Sequence, residues 1–446
     1  MGALTRRRVL AATGYSVALA GCLLGSNSAV DELTVPETTP DDDWSEPEWR
    51  PAEGVPSEDD VTPTTAVTGL EIPWDLVFAA DNAFLTERDG GVRRFDATAL
   101  ATESDLSPDD GEVILEADTL PDRSAPGEGG TLGIAAHPEY PDRAELFVYY
   151  TTDDGAVGNR VVSYDLESGT LEPLLEGIPG ATTHNGGRIT FGPEGYLWVL
   201  TGDAEDPALT QDPGARGGAV LRLTPDGEPA PDNPDWGSDS DGRIYTLGHR
   251  NPQGIAFTPQ GTPVLAEHGP TSRDEVSILR PGGNYGWDLV RGGPDDPEYG
   301  SYDEYDDATP PIVNTGPETT WAPSGVAFYT DDSIAPWANR VLVCGLRSNA
   351  LYVLTLLPAG EGLEDGAEPD DETAVRDEAP WLDDRFSTTV HTLLEGEYGR
   401  LRHVEPGPDG SLYLLTSNRD GRARGAFPGA DDDRIIRLDP SAGSTG

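Results

Sequence analysis

From Leu70 onward the chain alternates short apolar runs with clusters of Gly, Pro, Asp and Asn, and no long stretch repeats its apolar residues at a helical period. Six of the runs share a form. Ala83–Glu87 follows Asp81-Asn82, and Tyr196–Thr201 follows Gly192-Pro193-Glu194-Gly195. Thr262–Glu267 follows Thr258-Pro259-Gln260-Gly261, and Leu412–Thr416 follows Gly407-Pro408-Asp409-Gly410. Glu145–Tyr150 and Arg340–Cys344 lie between them. Each run has a turn signal before it and a small or polar residue after it. They recur at intervals of roughly 50–75 residues, room for about four strands each. One such unit cannot bury both faces of its own sheet, so the units must stack on one another. A six-bladed β-propeller with four-stranded blades over residues 67–440 meets that requirement. A pair of β-sandwiches is the competing all-β arrangement. In a propeller, loops of one face converge on the central channel, and functional residues scattered in sequence share a position in each blade.

The pattern before Leu70 is different. Arg6, Arg7 and Arg8 precede an apolar stretch, Val9 to Ala20, that is too short to span a bilayer. A twin-arginine start predicts export of an already folded protein. Leu19-Ala20-Gly21-Cys22 is similar to a lipobox, so residues 1–21 read as a lipoprotein signal peptide and Cys22 as the lipidated residue. That places the protein on the outer face of the cytoplasmic membrane, held by a lipid anchor. Ordinary cleavage with a free thiol is the alternative. Residues 22–66, rich in Asp, Glu, Pro, Thr and Ser, read as a disordered acidic linker, because they cannot bury enough surface to offset their ordering entropy. Residues 441–446 read as a disordered tail.

Charge narrows the partners. Asp and Glu number 81 against 29 basic residues, all of them Arg, for a formal net charge of -52. Nucleic acid is disfavoured by that sign. Self-repulsion of this size is screened only where the Debye length is short, about 3 Å at molar salt, so the surface suits a halophilic setting. Binding a basic partner is the other reading. The two cysteines, Cys22 and Cys344, cannot form a disulfide framework, and Cys344 in VLVCGL reads as a buried inert thiol.

Polar residues in loops at strand ends are the candidates for chemistry. His184 lies in Thr-Thr-His-Asn-Gly-Gly-Arg before one predicted strand, and Asp203 ends the next. Adjacent strands of one blade could join the two as an imidazole and its orienting carboxylate, the arrangement of a general base, although a structural histidine is the default. Residues 245–287 are denser, with His249-Arg250-Asn251, Glu267-His268-Gly269-Pro270 and Gly283-Asn284-Tyr285-Gly286-Trp287. No spacing there matches a zinc site. The Gly269-Pro270 turn offers backbone carbonyls, hard ligands suited to Ca2+, against the plain reading of a tight turn. Arg400 and Arg402 alternate, so their guanidinium groups share a face and suit a ligand with several carboxylates, unless they merely balance local acids.

Together these motifs resemble the glucose/sorbosone dehydrogenase family, the soluble glucose and aldose sugar dehydrogenases that use pyrroloquinoline quinone (PQQ). The resemblance rests on GLEIPWDLVF (69–78), GEGGTLGIAAHPEYPD (127–142), HNGGRITFGPEGYLWVLTGD (184–203), GHRNPQG, AEHGP (266–270), GGNYGW and GRLRHVEPGPDGSLYLLT (399–416), and it covers about residues 65–440. It implies His184 as general base and Asp203 as its carboxylate. It implies Arg250 over the reactive quinone carbonyl and Asn251 at the quinone edge. Gly269 and Pro270 would give oxygens to Ca2+, Glu128 and His268 would lie near the cofactor, and Thr320, Arg347, Arg400 and Arg402 would hold its carboxylates. The implied reaction takes the anomeric hydroxyl of an aldose to the lactone, with hydride passed to PQQ and electrons then to an external acceptor. Two departures stand out. Thr183 precedes the base where the glucose dehydrogenases carry an acid, and Arg347 replaces a lysine. Residues 360–385 form an acidic insertion. A calcium-dependent propeller lactonase, or a sugar-binding propeller without catalysis, are the other functions that a His–Asp pair over a channel would allow.

Overall fold

A computed structural model describes residues 32–40, 44–294, 296–359, 361, the backbone of 374–377, and 379–441. Arg6 to Arg8, Cys22 and most of the 360–385 insertion lie outside the described residues.

Each of the six apolar runs becomes the second strand of an antiparallel blade, four-stranded except in blade 5, where Ala374–Asp377 adds a fifth strand. Asn82–Glu87 sits in blade 1 beside Pro73–Ala79, and Glu145–Asp153 in blade 2 beside Thr131–Ala136. Leu197–Leu200 pairs with Ile189–Phe191 in blade 3, and Pro263–Glu267 with Pro252–Phe257 in blade 4. Arg340–Gly345 pairs with Pro323–Tyr329 in blade 5, and Leu412–Thr416 with Leu401–Pro406 in blade 6. Second strands are covered on both faces by neighbouring blades, which is why they read as continuous apolar runs and not as alternations. Leu197–Leu200 and Leu412–Thr416 are buried at every residue. First strands pack on one another around the central axis from blade 4 through blades 5, 6, 1 and 2 to blade 3. The core therefore lies between blades: Val264 and Val276 of blade 4 pack with Val326, Val341 and Tyr352 of blade 5. Cys344 is buried and free, as its apolar run predicts.

The ring closes by sharing its last blade between the two ends of the chain. Val61–Val67 pairs antiparallel with Ile435–Pro440, from Val61 opposite Pro440 to Val67 opposite Ile435. The propeller thus begins at Val61, six residues earlier than its sequence pattern suggests.

The expectation of a disordered linker running to residue 66 does not hold for the described part of that segment. Thr38 bridges Asp235, Ala52 N–H donates to the Ala338 carbonyl at 3.1 Å, and the Ser57–Asp60 turn caps the entry to Val61–Val67. Trp44 meets Phe386 edge-on at 5.2 Å between ring centroids, and Trp49 meets Phe328 at 5.0 Å. Composition favours solvent here, but two indoles supply enough apolar surface to fasten an otherwise polar segment to blade 5. Replacing Trp49 with Ala should lower the unfolding free energy by about 2 kcal/mol in denaturant titration. A Trp49→Phe variant should recover most of the loss, and no change in either would mean that the segment hangs free.

Candidate active site

Loops that precede first strands and follow second strands all open on one face of the ring, where they line a cavity of about 580 Å3. Glu128 precedes the first strand of blade 2, His184 that of blade 3, Arg250 that of blade 4, Thr320 that of blade 5 and Arg400 that of blade 6. Gly269 and Pro270, Arg347, and Arg422 follow second strands.

His184 and Asp203 come together as their positions in blade 3 predict. His184 Nδ1 lies 2.8 Å from Asp203 Oδ1. A carboxylate at Nδ1 assigns the proton to that nitrogen and leaves the lone pair on Nε2. The His184 side chain is 19% exposed and lines the cavity, whereas Asp203 is buried behind it. Backbone geometry fixes the pair. His184 has a positive φ of 58°, and a Cβ at Gly202 would fall 1.9 Å from the His184 carbonyl oxygen, so only glycine admits this approach. His184 N–H donates to Glu128 Oε2 at 3.2 Å, and Glu128 Oε1 pairs with Arg422.

Arg250 lines the same cavity beside the dyad, its carbonyl accepting from Asp203 N–H at 2.8 Å. Its Nη1 donates to the Gly269 carbonyl at 2.8 Å, its N–H to Glu267 Oε2 at 2.9 Å, and its guanidinium lies 5.4 Å from the Trp287 ring. Gly269 is also obligatory, since a Cβ there would meet the Ser272 carbonyl at 1.9 Å. His268 lines the cavity, and burial pushes its pKa down to about 4, which keeps the imidazole neutral. Its buried Nε2 has no partner among the described residues. Asn251 does not reach the cavity. It is fully buried beneath it, with Oδ1 accepting from Gly186 N–H at 3.1 Å, and so braces the His184 loop. Thr320 lines the cavity, and its hydroxyl is already committed to Asp274 Oδ2 at 2.9 Å.

The arginines decide the character of the site. Arg250, Arg347, Arg400, Arg402, Arg422 and Arg424 line the cavity against only Glu128 and Asp274. In a chain with 81 acids and 29 arginines, that is a local inversion of charge. Arg400 is neutralised by Asp420 at 2.8 Å and Arg422 by Glu128. Arg347 and Arg424 have no ion-pair partner among the described residues. Arg402 is buried, and its Nη1 meets only neutral oxygens, Gln253 Oε1 at 2.8 Å and Ser324 Oγ at 3.2 Å, while its Nε has none. Burial pushes the Arg402 pKa down to about 9, with Arg400 and Arg88 adding to the effect and Asp420 opposing it. A desolvated cation with neutral neighbours is a place for an anion.

Residues 70–425 match the glucose/sorbosone dehydrogenase family model. The chain belongs to that family. It is 30% identical over 372 residues to an aldose sugar dehydrogenase of Escherichia coli, a match covering 79% of this chain and 89% of that one. It is 32% identical over 266 residues to quinoprotein glucose dehydrogenase B of Acinetobacter calcoaceticus, covering 52% of this chain and 53% of the relative. The PQQ-bound form of aldose sugar dehydrogenase from Streptomyces coelicolor superposes with a TM-score of 0.64 at 30% identity, covering 88% of this chain and all of that one. Membership makes the protein a sugar dehydrogenase by family, an oxidoreductase.

Sequence reasoning missed Trp74, Gln253, Arg422 and Arg424. Arg419, Arg422 and Arg424 fall within six residues of a chain whose acids outnumber its arginines 81 to 29, and that local excess was the available signal. An Arg402→Met variant tests the charge argument. The folded pKa of Arg402 lies below its unfolded value, so its burial opposes folding at neutral pH and is relieved only as pH rises through about 9. Removing it should raise the unfolding free energy of the ligand-free protein by about 2 kcal/mol while weakening binding of a polycarboxylate, both read by thermal shift. A loss of stability would mean that its contacts with Gln253 and Ser324 outweigh desolvation.

Proposed function

We propose that the protein oxidises the anomeric hydroxyl of an aldose to the lactone, with PQQ as its resident cofactor and an external electron acceptor. The observation that carries the proposal is the pairing of an anion-seeking cavity with a His–Asp dyad on its wall. PQQ is a flat tricarboxylate, and the cavity offers it Arg347, Arg400 and the buried, uncompensated Arg402. Glu128 and His268 lie on the same cavity, with Asn251 one layer below.

When bound, PQQ supplies the quinone carbon that accepts hydride from the sugar. The chain's own part is orientation and proton transfer. His184 Nε2 takes the hydroxyl proton as the carbonyl forms at the anomeric carbon. Asp203 holds the ring by Nδ1 and stabilises the imidazolium. Arg250 presents a cation to the same cavity, where negative charge on an acceptor oxygen is favoured. Its burial lowers its proton affinity, yet an arginine stays charged at any working pH.

Calcium fits the described residues less well. The Gly269 carbonyl already accepts from Arg250, and among the described residues no three His, Cys, Asp or Glu side chains gather around one point. The chain's share of such an ion would be the carbonyls of Gly269 and Pro270. The Arg6-Arg7-Arg8 start and Cys22 support export and a lipid anchor on the outer membrane face.

Purified protein in molar salt with PQQ and Ca2+ should reduce a redox dye when an aldose is added. Lactone hydrolysis that needs no PQQ would overturn the proposal. His184→Gln should cut turnover roughly 100- to 10,000-fold while PQQ binding, followed by absorbance, stays within about twofold. Joint loss of both would make His184 a structural residue.

A further inference from the structure

The hydrogen bonds that hold the base do not end at Asp203. Its second oxygen, Oδ2, accepts the indole N–H of Trp287 at 2.8 Å. Trp287 is 5% exposed and comes from the long connection between Glu275–Ile278 and Val313–Asn314 of blade 4, so it reaches Asp203 of blade 3 across a blade boundary. Its own backbone is held on both sides. Trp287 N–H donates to the Gly248 carbonyl at 3.0 Å, and its carbonyl accepts from Gln211 Nε2 at 3.0 Å. Gln211 Oε1 in turn accepts from Asn284 Nδ2 at 2.7 Å and from Thr34 N–H at 3.0 Å. Thr34 Oγ1 donates to the Gln211 carbonyl at 2.7 Å, and the Thr34 carbonyl accepts from Asn284 Nδ2 at 2.9 Å. An unbroken chain runs from the segment ahead of the propeller to the catalytic imidazole.

We propose that Trp287 is a positioning residue for His184, itself held by Gln211, and that Thr34 is the outer anchor of this chain. The proposal rests on the reading above only in taking His184 as the base. A carboxylate gripped through one oxygen can turn about its Cβ–Cγ bond and release the imidazole. Oδ1 takes His184 Nδ1 and the Glu205 N–H at 2.9 Å, and only the indole holds Oδ2, so it is the indole that fixes the plane of the carboxylate. Indole has a donor and no acceptor, so the direction of this bond is unambiguous. A donor on Oδ2 also spreads the charge of Asp203, which moderates its pull on a proton at His184. The same ring faces the Arg250 guanidinium, so one side chain borders both the carboxylate of the base and the neighbouring cation.

Trp287→Phe keeps a ring and removes the N–H. Losing that donor leaves Asp203 more strongly negative, which favours protonated His184, so the acid limb of the kcat/KM profile should move up by about one pH unit. Turnover at the plateau should fall about tenfold with KM within about twofold. A second readout needs neither cofactor nor activity. In protein labelled with 15N-tryptophan, the indole signal lost in Trp287→Phe should exchange slowly with solvent in the parent protein and shift in Asp203→Asn. A parent-like pH profile and turnover in Trp287→Phe, or an indole signal indifferent to Asp203→Asn, overturns the proposal. Should Trp287→Phe fail to fold, Gln211→Leu takes its place. It breaks only the outer bonds and should move the Trp287 indole signal and slow turnover by a smaller factor, and an unmoved signal removes Gln211 and Thr34 from the chain. If the parent protein oxidises no aldose, the functional reading fails, while the indole measurements still decide the wiring.

Discussion

A desolvated guanidinium without a carboxylate is the constraint on which the rest of this site depends. Arg402 lies buried among neutral oxygens, beside Arg400, in a chain whose acids outnumber its arginines by 81 to 29. Nothing in the composition forces that arrangement, because a carboxylate could be recruited from almost any direction. The ring geometry keeps the acids out. First strands bring only residues near their leading ends to the cavity and the loops after second strands add a few more, so few side chains reach it, and six of them are arginines. The cost of leaving a cation dry is borne by the packing between blades, and it becomes useful only when an anion arrives.

Closure of the ring is what makes that cost bearable. A blade standing alone exposes both faces, whereas the shared last blade, with Val61–Val67 against Ile435–Pro440, joins the two ends of the sequence. The described N-terminal segment extends this closure. It passes Thr34 against Gln211 and Asn284 and Trp44 and Trp49 against blade 5. A segment that looks like a tether by composition is therefore part of the scaffold that holds the site.

The repeat was legible because second strands, buried on both faces, leave an uninterrupted apolar signature that polar loops cannot blur. All six such runs become second strands. His184 and Asp203 were legible for a related reason, since both sit at strand ends of one blade and meet at 2.8 Å. The spacing of Arg400 and Arg402 likewise indicated a shared face, and both line the cavity. What was not legible depends on direction. Asn251 and Thr320 sit in the right loops, yet one side chain points under the floor and the other toward Asp274. Arg422 and Arg424 lie in a loop with no periodicity to read. Val61–Val67, with three threonines and a proline, lacks the apolar run of a second strand and is a strand because Ile435–Pro440 offers it an edge.

Salt acts on the cavity's arginines unequally, and that difference ties the acidic surface to the site. Arg422 and Glu128 pair at the rim, where side-chain exposures of 47% and 17% leave the pair open to solvent ions. At molar salt, with a Debye length of about 3 Å, such a pair contributes little. Arg402 is shielded by protein and not by ions, so its attraction for a carboxylate persists under the same conditions. Repulsion among so many surface acids weakens as salt shortens the Debye length, and the same salt would strip an anion from an exposed cationic cleft. Burying the decisive cation reconciles the two demands. It lets a chain of net charge -52 keep a site for a polyanion, at the expense of a ligand-free state less stable than its packing alone would give.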